Sequence, residues 1–196
     1  MSPIPAFEIG IWNAWIFWVL ELAAMIIPGI FMDEEAKAGR KRAANFVPFK
    51  KKSMKIIALS THMIIIPFSI VYSVFLPLRI GTVWFYAGLA VLVSALVMGI
   101  LAALSFAAAR ADQPVTNGVY RISRHPIYLS GFLFQLSIGI ACASWVLLLL
   151  AAAWIICFTI VVPAEESFLA ERYGDAYRDY IKRSPRWIGI PKGGKT

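Results

Sequence analysis

Residues 113–131 read QPVTNGVYRISRHPIYLSG, a polar and basic island between two long apolar runs. Asn117-Gly118 is a turn signal. Pro126 falls where the first position of a helix is expected, since its missing N–H costs nothing there, and His125 lies near the cap. The island thus ends by opening a helix whose free N–H groups carry a partial positive charge, with Arg121, Arg124 and His125 alongside. Such an end suits the carboxylate or phosphate of a ligand. The flanking apolar runs put it at a membrane boundary, and the chain is predicted to be an all-α, polytopic membrane protein.

Outward from the island, the 196 residues are 60% hydrophobic and only 15% charged, with a mean hydropathy of +0.72. Soluble domains carry about a quarter charged residues. Apolar runs at about 11–31, 54–76, 82–109, 127–143 and 145–162 predict five transmembrane helices in a single membrane domain, 1–196. Only a residue or two around Ser144 parts the last two, which are expected to form an antiparallel helical hairpin. From Pro163 the chain turns soluble in character. A helical tail is expected there, with Glu165, Glu166 and Glu171 near its start, Gly174 as its stop and a second short helix over 175–181. Trp12, Trp15 and Trp18 gather at the start of the first span as an interfacial belt. In the third span Ala95, Gly99, Ala103 and Ala107 form a four-residue strip of small side chains that lets another helix approach.

The net charge of +8 does not point to nucleic acid, because the basic residues lie between apolar spans. Of nineteen Lys and Arg, all but Arg79 fall in 32–55, 110–126 and 163–196. That asymmetry predicts an outside N-terminus, with the island and the C-terminal tail cytoplasmic and near anionic lipid headgroups. The first run is too long and lacks the basic flank of a removable leader, so it is expected to act as its own insertion signal. Cys142 and Cys157 belong to no ligand pattern and read as small buried side chains; no metal site is expected. Glu21 and His62 are ionisable groups inside the first two spans, about 15 and 12 Å from the cytoplasmic boundary by helical rise. They are expected to pair or to face a polar cavity.

The island joins spans three and four, and the tail leaves span five. Tyr120, Arg121, Arg124, His125, Tyr128, Glu165 and Glu166 are therefore expected to meet at one membrane depth. Their order is G-x-Y-R-x-x-R-H-P-x-Y-x-x-G (Gly118, Tyr120, Arg121, Arg124, His125, Pro126, Tyr128, Gly131), then an apolar hairpin. E-E-x-x-L-x-x-x-Y-G-x-x-Y-x-x-Y follows (Glu165, Glu166, Leu169, Tyr173, Gly174, Tyr177, Tyr180). The pattern resembles the isoprenylcysteine carboxyl methyltransferase family and its phospholipid N-methyltransferase relatives, over roughly the last eighty residues (113–190).

The resemblance implies S-adenosylmethionine as methyl donor, S-adenosylhomocysteine as product, and a cytosol-facing pocket closed by the tail. Asp112, Gln113, Pro114, Val115 and Tyr120 would line the donor; His125, Pro126, Ile127 and Tyr128 would hold it from the helix end, and Glu165 from the opposite side. Arg124, His125 and Glu166 are the expected catalytic groups. The acceptor would be lipophilic and enter from the bilayer, with carboxyl O-methylation of a prenylcysteine-like substrate as first expectation. A phospholipid or other amine N-methylation is the alternative, in which His125 or Glu166 would help remove the proton. Carboxyl methyltransferases of eukaryotes carry an arginine four residues before the first matched glutamate; here that residue is Val161. Two further alternatives are an NADPH-dependent sterol-type reductase, which would typically show an Asn rather than Pro126, and a non-enzymatic transporter or scaffold. No soluble-type G-x-G-x-x-G cradle follows a strand, which excludes a Rossmann methyltransferase.

Overall fold

The computed structural model describes residues 7–30, 34–35, 37–38, 51–109 and 113–191. Every regular element among them is helical, apart from an isolated bridge between Asn13 and Pro77. In chain order they are α1 (Trp15–Ile30), α2 (Lys52–Val74), α3 (Val83–Ala107), α4 (Pro126–Ala141), α5 (Trp145–Tyr173) and α6 (Asp175–Arg183). α2, α3 and α5 are long and apolar enough to cross a bilayer; α1 and α4 are apolar but shorter. The protein is thus an all-helical integral membrane protein.

α1 begins at Trp15, four residues later than the apolar run suggested. Asn13 is the cause: its buried carboxamide donates to the carbonyls of Glu8 and Val74, so the segment before Trp15 is spent tying α1 to the end of α2. Ala14 N–H donates to Leu76 O at 2.9 Å and completes the junction. Of the expected tryptophan belt, Trp12 is exposed, but Trp18 turns inward and meets Phe134 edge-on at 4.7 Å.

α2 contains a wide π turn over Thr61–Ile65. It falls just before Pro67, whose ring would collide with the Met63 carbonyl in a regular helix. The turn presents His62 to α5, not to α1. Its Nδ1 donates to Ala58 O at 2.9 Å, and its ring packs edge-on against Trp154 and Phe158 at 5.1 and 5.6 Å. The expected pairing with Glu21 is not made, because helix rotation sets the ring against α5's aromatic face.

α3 and α4 pack most closely. A Cβ on Gly88 would lie 2.6 Å from Ala141 Cβ, and one on Gly99 would lie 3.1 Å from Ser130 Oγ. The contact face runs Gly88, Leu92, Ala95, Gly99, Ala102, alternating four and three residues, so the strict four-residue strip drifts off it by Ala103. The hairpin is as expected: Cys142–Ser144 turn α4 into α5, and Gly139 and Gly131 let Leu148 and Trp154 approach.

The tail differs from expectation in one respect. α5 runs unbroken through Pro163 to Tyr173, so span and first tail helix are one rod. It stops at Gly174, whose φ is +57°, a conformation that favours glycine. α6 then folds back, with Tyr177 and Tyr180 buried against Ala102 of α3 and Tyr120 of the island.

Candidate functional site

The island's turn is a short 3₁₀ segment, Gly118–Arg121. Gly118 has φ +54°, and a Cβ there would collide with Ser105 Oγ, so the turn requires glycine twice over. It buries Tyr120, whose carbonyl accepts a 2.6 Å hydrogen bond from Tyr180 Oη. Burial pushes the Tyr120, Tyr177 and Tyr180 hydroxyls well above the ordinary range, so all three remain protonated. Val115 joins this tyrosine cluster, Pro114 is half-buried, and Gln113 and Arg121 are exposed. Asp112 lies outside the described residues.

α4 starts at Pro126 as predicted, with buried His125 before it; Ser123 Oγ accepts from His125 N–H at 3.2 Å. The α4–α5 hairpin then carries the chain out and back, returning Glu165 and Glu166 to the same place. His125 Nε2 is 3.3 Å from Glu166 Oε1, and Nδ1 is 3.8 Å from Glu165 Oε2.

The two adjacent carboxylates sit in different company. Glu166 is buried and saturated. Its Oε1 accepts from Arg124 Nε at 2.9 Å and lies 2.8 Å from Arg124 Nη2, while Arg186 reaches both oxygens, at 3.2 and 2.6 Å. Arg124 also spends Nη1 on the carbonyls of Ile181 and Ser184, each at 2.9 Å. Arg124 N–H donates to Pro185 O, and Gly189 N–H to Ile122 O, so residues 184–191 are laced onto the island as a strap. Glu165 accepts one hydrogen bond, from Tyr128 Oη at 2.9 Å to Oε2, and Oε1 takes none among the described residues. Tyr128 lies between Phe158, stacked at 4.1 Å, and the parallel His125 ring at 5.8 Å. Trp154 Nε1 donates to Tyr128 O and fixes this part of α4 against α5.

The structure therefore brings Arg124, His125, Tyr128, Glu165 and Glu166 together, with Pro126 and Ile127 on the helix end beside them. Tyr120 and Val115 belong to the neighbouring tyrosine cluster. Arg186 and Trp187 were not foreseen. Trp187 lies 6.1 Å from His125, and Arg186 shares Glu166 with Arg124. The only signal was a second arginine beside a tryptophan just after Pro185; nothing in spacing tied it to a residue twenty positions earlier.

A methyl-donor nucleotide fits what is present. Glu165 keeps a carboxylate oxygen unengaged among the described residues for hydroxyl or amino groups, and the first turn of α4 has N–H groups without intrahelical partners for a carboxylate. A model of the phospholipid methyltransferase family matches residues 105–176. A protein-S-isoprenylcysteine O-methyltransferase of Dictyostelium discoideum is 33% identical over 88 residues, 39% of this chain and 32% of that protein. The protein of the same name from Schizosaccharomyces pombe is 34% identical over 79 residues, with the same shares. The match thus spans about a third of the length of these relatives. The family-model match takes in the island, the α4–α5 hairpin and the glutamate pair, so this part of the chain is similar to the phospholipid methyltransferase family, and over 39% of its length the chain shares about a third of its residues with two protein-S-isoprenylcysteine O-methyltransferases.

Proposed function

We propose that this protein is an S-adenosylmethionine-dependent methyltransferase that acts on a lipophilic acceptor at the cytoplasmic face of a membrane. The five helices α1–α5 are its spans, residues 113–190 its donor-binding region, and the acceptor reaches the site from the bilayer. The observation that carries the reading is the meeting of His125 and Glu165 from opposite ends of one hairpin, with an oxygen of Glu165 still unengaged.

S-adenosylmethionine supplies a methyl group already activated on a sulfonium and leaves as S-adenosylhomocysteine. The chain's own work is alignment and exclusion of water. Glu165 Oε1 accepts from hydroxyl or amino groups of the donor, and the helix end at Pro126, Ile127 and Tyr128 receives its carboxylate. Residues 113–115 and Tyr120 close the cytosolic side. Arg124 and Glu166 hold the strap over the site, so that Trp187 covers His125. His125 is the group placed to touch the reactants and to hold a proton at Nδ1 or Nε2.

Carboxyl O-methylation of a prenylcysteine-like acceptor remains the first reading of the acceptor. One observation favours the amine reading instead: Val161 is fully buried, so no cation stands at the position where carboxyl methyltransferases carry an arginine. Calorimetry of purified protein tests the donor site. Glu165→Ala and His125→Ala are expected to weaken donor binding, and unchanged affinity in both would remove the site. Incubation with labelled donor and a lipid extract tests the acceptor. Label released as methanol by base marks an ester, and label that resists base marks an amine.

A further inference from the structure

α2 lies outside the family-matched residues 105–176, yet its wide turn reaches the helix that carries Glu165. Two side chains brace that turn. Thr61 Oγ1 donates to Ile57 O at 2.8 Å, and His62 Nδ1 donates to Ala58 O at 2.9 Å. A carbonyl oxygen only accepts, so Nδ1 carries a proton and the half-buried ring is aimed by its own helix. An ionisable residue inside a span is costly, and a role beyond packing is the ordinary reason to keep one.

What the ring touches points to that role. His62 meets Trp154 and Phe158 of α5 edge-on, at 5.1 and 5.6 Å. The same two residues fix Tyr128. Phe158 stacks on its ring at 4.1 Å, and Trp154 Nε1 donates to its carbonyl at 3.1 Å. Tyr128 Oη in turn donates to Glu165 Oε2 at 2.9 Å. Each link from His62 to the carboxylate is thus a direct contact. Both supports of Tyr128 bear on one imidazole, and they also touch each other at 4.9 Å.

We propose, on the footing of a donor site at Glu165, that His62 is a positioning residue of that site. Its ring backs Trp154 and Phe158, which together hold the Tyr128 hydroxyl on Glu165. The ring acts by packing, and its bond to Ala58 serves to aim it; His62 moves no proton in this role. Without the ring, Trp154 and Phe158 lose a wall, Tyr128 is free to leave Glu165, and a displaced carboxylate holds the donor less well. α2 thereby supplies a part of the site that the matched segment does not contain.

Fluorine NMR of the intact protein in detergent, with a single fluorotyrosine at position 128, reads the first step with no donor present. His62→Ala is expected to move or broaden the resonance. His62→Phe, which keeps a ring, should leave it near the parent's, and His62→Asn, which keeps only the donor to Ala58, should resemble His62→Ala. Ile64→Ala, on the exposed face of the same turn, is the control that leaves the signal in place. Calorimetric titration with S-adenosylhomocysteine reads the second step. His62→Ala is expected to weaken binding about three- to tenfold, and to weaken it no further once Tyr128→Phe has removed the hydroxyl. A resonance that His62→Ala leaves unmoved, or losses that simply add in the double variant, overturns the proposal even where Tm falls. Should His62→Ala fail to fold, His62→Phe and His62→Asn are compared in its place, and identical behaviour of the two overturns it. A parent protein that binds no S-adenosylhomocysteine overturns the donor site instead, and the fluorine signal still decides whether His62 holds Tyr128.

Discussion

Glu166 and its strap form one polar region of this molecule; buried Gln135 lies in another. At the membrane boundary Glu166 is met by two arginines and a histidine, and Arg124 reaches two carbonyls of the tail as well. Inside the bundle, Gln135 has no partner at either carboxamide atom among the described residues. Saturated polar groups hold the chain to itself, whereas unpartnered ones leave a desolvation cost unrepaid by the protein. Adjacent Glu165 and Glu166 repeat the contrast at close quarters. One keeps an oxygen unengaged and is read as a ligand group; the other is spent on structure.

The sharpest way to break this contrast is Glu166→Ala. It leaves buried Arg124 without its carboxylate and is expected to cost about 3–5 kcal/mol of stability, read as a fall in Tm, with faster proteolysis of the strap. Gly88→Ala should follow, because the new Cβ would meet Ala141 at 2.6 Å; forced separation of α3 and α4 is expected to cost about 1–3 kcal/mol in thermal unfolding. Glu165→Ala should leave Tm much closer to that of the parent and act on ligand binding. Donor affinity is expected to fall roughly tenfold, about 1.4 kcal/mol, in titration calorimetry. If Glu165→Ala unfolded the protein as strongly as Glu166→Ala, the division of labour between the two would be lost. The smallest effect is expected from Arg186→Ala. Its side chain is 44% exposed, and its ion pair with Glu166 is worth about 0.5–1 kcal/mol, seen mainly as faster tryptic cleavage after Arg183.

Much of the hairpin was legible beforehand because its signals are local. Pro126 at the first helical position, the short turn near Ser144 and Gly174 as a stop each follow from what one residue's backbone allows. The meeting of His125 with the Glu165–Glu166 pair followed from two spans of similar length joined by a tight turn. Less was legible in the N-terminal half. Hydropathy marks α1 and α2 as apolar but does not set their rotation. His62 therefore faces Trp154 and Phe158 where a partner in Glu21 was expected, and Trp18 turns into the bundle rather than joining an interfacial belt. Pro163 was read as a boundary because the chain turns soluble in character there, yet α5 passes through it; the Tyr128–Glu165 and Arg124–Glu166 contacts hold the helix just beyond.

By itself the sequence determined that this is a helical membrane protein. It also determined that a proline-started helix and a glutamate-headed one are joined by a tight hairpin, because composition, periodicity and turn chemistry act over a few residues. Only the tertiary structure decided which of two neighbouring glutamates is spent on Arg124 and Arg186, where the strap lies, and which polar side chains of the bundle go without partners. Those outcomes depend on how each helix is rotated about its axis and how closely it meets its neighbours, and side-chain volumes across the whole bundle settle that together.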